Sequence, residues 1–169
     1  MTKLKSGSHR FASEHGKEIR KMLYESQIKY ASGEVQPMTE PDGAHVIEIV
    51  DRIWRYRDLW YGGEPYAGMT TIFMNDQPCF VLQYRGRIMP YVEDKRAVLA
   101  ALMDALQHPV PDTPWRGPRK FRTSSGLRYR NQWQGGLRDF AGTELITDSY
   151  TDETLYKATY NGIIVDKDD

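Results

Sequence analysis

Tyr56-Arg57-Asp58-Leu59-Trp60-Tyr61-Gly62-Gly63 returns 73 residues later as Tyr129-Arg130-Asn131-Gln132-Trp133-Gln134-Gly135-Gly136, with Tyr, Arg, Trp and both glycines kept. The correspondence runs on in order. Tyr66-Ala67-Gly68 matches Phe140-Ala141-Gly142 at an offset of 74, and Tyr84-x-Gly86-x-Ile88 matches Tyr160-x-Gly162-x-Ile164 at an offset of 76. The offset grows where turns are expected, and turns are where chain length varies freely. A scarce Trp, a fixed order and a nearly fixed spacing read as an internal duplication. A glycine pair closing a strand supplies backbone conformations that turn or bulge it. Alternation along a strand sets Tyr56, Asp58 and Trp60 on one sheet face and Arg57 and Leu59 on the other; Tyr129, Asn131 and Trp133 share a face in the same way.

The flanking sequence supplies the remaining elements. Residues 1–13 read as a flexible arm, with Ser13 capping a helix to about Ala31 whose apolar positions Ile19, Met22, Leu23 and Tyr30 share one side. Gly33 stops it, and residues 33–45, with Pro37, Pro41 and Asp42-Gly43, read as a loop. His45–Asp51 and Ile53–Tyr61 are one bent strand or two, and Met69–Met74 with Pro78–Ile88 form a hairpin around Asn75-Asp76. Asp94–Gln107 is a helix with a buried stripe of Val98, Leu102 and Ala105, ended by Pro109 and Pro111. After a linker from Asp112 to about Arg119 come strand-like runs at Lys120–Trp133, Ala141–Ser149 and Thr154–Val165. The expected fold is α+β: tandem α-βββ repeats, about 14–91 and 94–165, forming a mainly antiparallel sheet with helices packed on one face, all within one domain over 14–169.

Composition narrows the function. The chain has 169 residues and a formal net charge of zero, which argues against a general affinity for nucleic acid or acidic membranes. No apolar run reaches a membrane span, and Met1 to Ser13 lacks the apolar core of a signal peptide. The lone Cys79, inside the apolar run Cys79-Phe80-Val81-Leu82, reads as a buried structural thiol. A cytoplasmic location is expected. His9, His15, His45 and His108 form no ligand pair, Gly62-Gly63 is not a phosphate loop, and no nucleophile elbow is present. No cofactor and no metal are therefore expected.

One asymmetry between the copies points to a site. Asp58 and Glu64 carry charge where the second copy has Asn131 and Leu137. A charge kept in one copy only is not required by a fold that both copies share. Asp58 then either faces a cleft, as a ligand-binding group or general base, or pairs with Arg55, Arg57 or Arg85. The candidate ligand-binding set is Tyr56, Asp58, Trp60, Glu64, Tyr84, Tyr129, Asn131 and Trp133, placed around an aromatic and acidic cleft between the repeats. The basic run Arg116, Arg119, Lys120, Arg122, Arg128, Arg130 and Arg138 either forms an anion patch or is neutralised by the acidic segment from Asp139 to Glu153.

The stretch Tyr56 to Gly68 resembles an uncharacterised prokaryotic domain family that occurs alone or behind Xre-type helix-turn-helix domains. Tyr30-Ala31-Ser32-Gly33, Tyr84-Arg85-Gly86 and Pro114-Trp115-Arg116-Gly117-Pro118 agree with it, so the resemblance spans about residues 20 to 165. It implies a sensing or partner-binding role and brings no catalytic residues. The expected function is a module holding a small ligand or a protein partner. The alternatives are a small cofactor-free enzyme using Asp58 or Glu64 as acid/base, and a structural domain that forms a homodimer.

Overall fold

The alternation read from the sequence sends Phe80, Leu82, Tyr84 and Ile88 to a buried face while Gln83, Arg85 and Arg87 stay exposed. In the computed structural model, which describes residues 7–165, this strand lies in the middle of a nine-stranded sheet. The strands are β1 (Met38–Thr39), β2 (His45–Asp51), β3 (Trp54–Gly62), β4 (Tyr66–Met74), β5 (Gln77–Ile88), β6 (Lys120–Arg122), β7 (Arg128–Gly136), β8 (Asp139–Thr147) and β9 (Thr154–Ile164). Their order is β1-β2-β3-β4-β5-β9-β8-β7-β6, and every pairing is antiparallel. The two halves of the chain meet at the β5–β9 seam, where Tyr84 lies opposite Tyr160.

Helices α1 (Gly7–Ala31) and α2 (Lys95–Leu106) cover one face of this sheet. α1 buries Ile19, Met22 and Leu23 against Tyr56, Ile72, Phe80 and Tyr84. α2 buries Val98, Ala101, Leu102, Ala105 and Leu106 against Ile88, Tyr129, Ile146 and Tyr156. Each fully buried large apolar side chain contributes roughly 1.5–3 kcal/mol. The Asp94 carboxylate accepts from Ala97 N–H at 3.0 Å and so caps α2. Cys79 is buried, with its thiol pushed up to about 12 by burial, as suits a structural thiol.

Two boundaries differ from the sequence reading. α1 starts at Gly7, so Ser13 is not its cap and the helix enters the segment expected to be an arm; residues 1–6 lie outside the described residues. Partial packing of Phe11 and Ala12 on the core explains the earlier start. The run Lys120–Trp133 is not one strand but the hairpin β6–β7. Its turn is closed by Gly126 at φ 84° and by Leu127 N–H donating to Thr123 Oγ1. Of the two readings of His45–Tyr61, one bent strand or two, the structure has two, turning around Arg52 at φ 57°. Where three strands per half were expected, each half therefore contributes four, with the short β1 in addition at one edge.

Candidate functional site

A cavity of about 310 Å³ lies between the helices and the first half of the sheet. Its floor comes from β3, β4 and β5, which present Tyr56, Asp58, Trp60, Tyr66, Thr70, Leu82 and Tyr84. Its roof is Leu23, Gln27 and Tyr30 of α1 with Leu99, Leu102, Met103 and Leu106 of α2. Pro114 and Arg116 of the inter-half linker close one end. Exposed Gly62 and Gly63, with half-buried Pro37, His45 and Trp60, form its outer rim. There the Trp60 ring meets Tyr30 at 5.5 Å and His45 at 5.4 Å between centroids.

Asp58 is the anionic group of this floor and is only 6% exposed. Its Oδ1 accepts from Thr70 Oγ1 at 2.9 Å and from Tyr84 OH at 2.8 Å. Among the described residues no basic side chain forms an ion pair with it, and no side-chain hydrogen bond reaches Oδ2. The arginines weighed as partners are on the opposite sheet face by strand alternation. There Arg55 pairs with Glu48 and Asp76, Arg57 pairs with Glu48, and Arg85 bonds Thr159. Burial lifts the Asp58 carboxyl to about 6, partly countered by the Tyr84 and Thr70 hydroxyls and by Arg116.

Arg116 reaches the cavity from the linker, with its backbone in the left-handed region at φ 71°. Its Nε donates to Glu144 Oε2 at 2.9 Å and its Nη2 to Tyr66 OH at 3.1 Å, and its guanidinium lies 5.0 Å from the Tyr84 ring centre. Glu144 is fully buried and also accepts from Tyr129 OH; Tyr66 OH bonds Tyr156 OH. Glu144 thus neutralises Arg116, and Asp58 remains the unbalanced charge of the region.

In the second half a similar tyrosine–side-chain bond lies beside a different filling. Asn131 Oδ1 accepts from Tyr160 OH at 2.6 Å, as Asp58 Oδ1 accepts from Tyr84. Its Nδ2 donates to the backbone carbonyls of Trp115 and Gly117, each at 2.8 Å. Gly117 N–H donates to Tyr129 OH at 3.0 Å, and a Cβ on Gly117 would meet that hydroxyl at 2.6 Å. Trp115 is fully buried and stacks on Phe140 at 4.2 Å, while Arg119 covers the Trp133 ring at 3.7 Å. The space beside Asn131 is therefore occupied by the chain's own linker.

Of the residues singled out from the sequence, Tyr56, Asp58, Trp60 and Tyr84 come together at the cavity. Tyr129, Asn131 and Trp133 do not line it; they hold the linker instead. Glu64 is not part of it either. Its Oε1 accepts from Ile88 N–H at 2.8 Å, tying the β3–β4 turn to the end of β5. The cavity lies under the helices and takes its lining from both spans, with Leu99, Leu102, Met103, Leu106, Pro114 and Arg116 coming from residues 94–165. Sequence reasoning missed Arg116, Thr70, Tyr30 and His45. Arg116 and Tyr30 stood inside quoted family-like segments, but nothing local indicated that they converge. The basic run is partly neutralised, by Arg116–Glu144 and Arg128–Asp152. Among the described residues no three His, Cys, Asp or Glu side chains cluster as metal ligands would, and no helix is long and apolar enough to cross a membrane.

A family described as a domain of unknown function, DUF5680, matches residues 58–165. The matched span starts at Asp58 and contains Tyr66, Thr70, Tyr84, Arg116, Asn131 and Glu144. Neither the curated proteins nor the solved structures yield a match.

Proposed function

We propose, on the premise that this chain belongs to the DUF5680 family, that it is a small-ligand-binding module whose ligand occupies the cavity over Asp58. The observation that carries this reading is a buried carboxyl without an ion-pair partner, set in the floor of an aromatic and apolar cavity of about 310 Å³. Ligand sites are typically concave, mostly apolar and furnished with a few placed polar groups, and this volume falls at the small end of their range. A cavity kept open for packing alone would have little use for an ionisable group in its floor.

The module is a duplicated unit in this reading. Support comes from the sequence offsets together with the mirrored strand order and the Tyr84–Tyr160 pairing at the seam. Resemblance to domains carried behind Xre-type regulators supports a sensing role in a prokaryotic cytoplasm. A second reading, acid–base catalysis by Asp58 without a cofactor, is favoured by one observation: a carboxyl lifted to about 6 sits where a group exchanges protons near neutral pH.

A fragment screen followed by ¹H–¹⁵N correlation spectra tests the site. Binders should shift the Trp60 indole resonance and the amides of Tyr30, Asp58 and Met103. Met103→Trp, which fills the cavity, should remove those shifts. Hits that map only to the outer sheet face, or that survive Met103→Trp, would overturn the assignment.

A further inference from the structure

The second half fills the space beside Asn131 with its own backbone, and that backbone serves as a template for what the first half takes. Tyr160 OH fixes Asn131 Oδ1 as Tyr84 OH fixes Asp58 Oδ1, so the remaining atom of each side chain is the informative one. On Asn131 it is Nδ2, a donor to two carbonyl oxygens. On Asp58 it is Oδ2, an acceptor. A ligand group lying against Asp58 as the linker lies against Asn131 must therefore present N–H or O–H donors where the linker presents carbonyls.

Charge points the same way. Glu144 neutralises Arg116, so ionised Asp58 leaves the region one negative charge in excess. Aromatic rings line the cavity: Tyr56, Trp60, Tyr66 and Tyr84 in the floor and Tyr30 in the roof, and aromatic faces attract cations. The part of the roof that α2 supplies, from Leu99, Leu102, Met103 and Leu106, is apolar.

We propose that the cavity takes an organic monocation, a protonated amine or guanidinium that donates N–H hydrogen bonds to Asp58 and lays an apolar body against α2. This rests on the ligand-binding reading above and specifies its ligand class. A carboxylate ligand is opposed by the same excess charge, and a neutral alcohol of equal shape can donate one O–H to Asp58 but brings no positive charge to balance it. Titratable or charged groups around Asp58 are Tyr56, Tyr66 and Tyr84 of the sheet, Tyr30 of α1, Arg116 of the linker and His45 at the rim; α2 contributes none to the lining.

The test uses phenethylamine and phenethyl alcohol as probes, with Kd measured by NMR titration on the whole chain. At pH 7.5 the amine should bind about tenfold or more tighter than the alcohol, the gain of pairing its positive charge with ionised Asp58. The amine's advantage should shrink as pH falls through about 6, where Asp58 takes up its proton, and His45→Gln should leave that pH dependence in place. Asp58→Asn should abolish the preference while the alcohol still binds. Equal binding of both probes by the wild-type protein, or a preference for the amine that persists in Asp58→Asn, would overturn the monocation proposal and leave the cavity standing. Failure of both probes to bind at millimolar concentration would overturn the ligand-binding reading with it.

Discussion

Replacing Asp58 by Asn should stabilise the protein at neutral pH, although it removes an acceptor of two buried hydroxyl bonds. The carboxyl moves from an ordinary value of 3.8 to about 6 on folding, chiefly because burial penalises the charge. The folded chain thus holds this proton more tightly than the unfolded chain. The associated stability is full below about pH 4 and is lost as pH rises through about 6. At about 1.4 kcal/mol per pH unit, ionised Asp58 costs about 3 kcal/mol at pH 7.5 relative to the protonated form. Asn carries no such cost, and its Oδ1 still accepts from Thr70 and Tyr84. Its Nδ2, unlike that of Asn131, has no backbone carbonyls to donate to, which offsets part of the gain. The expected net effect is a stabilisation of about 1–3 kcal/mol at pH 7.5, or roughly 2–10 °C in Tm for a chain of this size. Near pH 4 the difference should fall to within about 0.5 kcal/mol, since both side chains are then neutral. Urea titrations of wild type and Asp58→Asn at both pH values measure it. A loss above about 1 kcal/mol at pH 7.5, or a difference that does not change with pH, would refute the reasoning and mean that a cation depends on Asp58.

Other substitutions probe the surroundings of the cavity. Arg116→Met strands fully buried Glu144 and should cost about 3–5 kcal/mol in a denaturant titration, and adding Glu144→Gln should recover most of the loss. Leu102→Ala, at a position 1% exposed that both packs α2 and lines the cavity, should cost about 2–5 kcal/mol; a loss near zero would show that α2 is not anchored there. Asn131→Asp sets a carboxylate against two carbonyl oxygens and should loosen the linker, seen as a red shift of Trp115 emission at pH 7.5 that reverses on acidification.

What the sequence revealed was what neighbouring residues decide among themselves. α2 was legible because a 3.6-residue stripe and the following Pro109 agree on one element. The face shared by Tyr56, Asp58 and Trp60 was legible because strand period alone settles it, and the same period sends Arg55 and Arg57 away from Asp58. The β6–β7 hairpin was not, because its turn depends on a left-handed Gly126 and a Thr123 side-chain bond inside a run of strand-like residues. Arg116 was not legible either. It meets Tyr66 across 50 residues and Glu144 across 28, and only the crossing of the linker over the sheet brings them together. Glu64 was misleading for a related reason: a charge present in one half satisfies a backbone N–H at the end of β5 instead of facing the cavity.

The charge difference between Asp58 and Asn131 and the difference in what covers them follow from one constraint. A side chain held through Oδ1 by a tyrosine hydroxyl offers its other terminal atom to whatever lies above it. When that atom is an amide nitrogen, backbone carbonyls satisfy it, and a short stretch carrying Trp115 and Gly117 seals the space with hydrogen bonds and a buried indole. When it is a carboxylate oxygen, the same carbonyls would leave an unpaired charge facing partial negative charges in a region of low dielectric, at a cost of several kcal/mol. A backbone plug of that geometry is therefore compatible with Asn and incompatible with ionised Asp. In the half that carries Asp58, the space has to stay open to water or be filled by something that brings donors. Under the duplication and the ligand-binding role proposed above, the copy with the amide is the one closed by its own chain and the copy with the acid is the one that leaves room for a ligand.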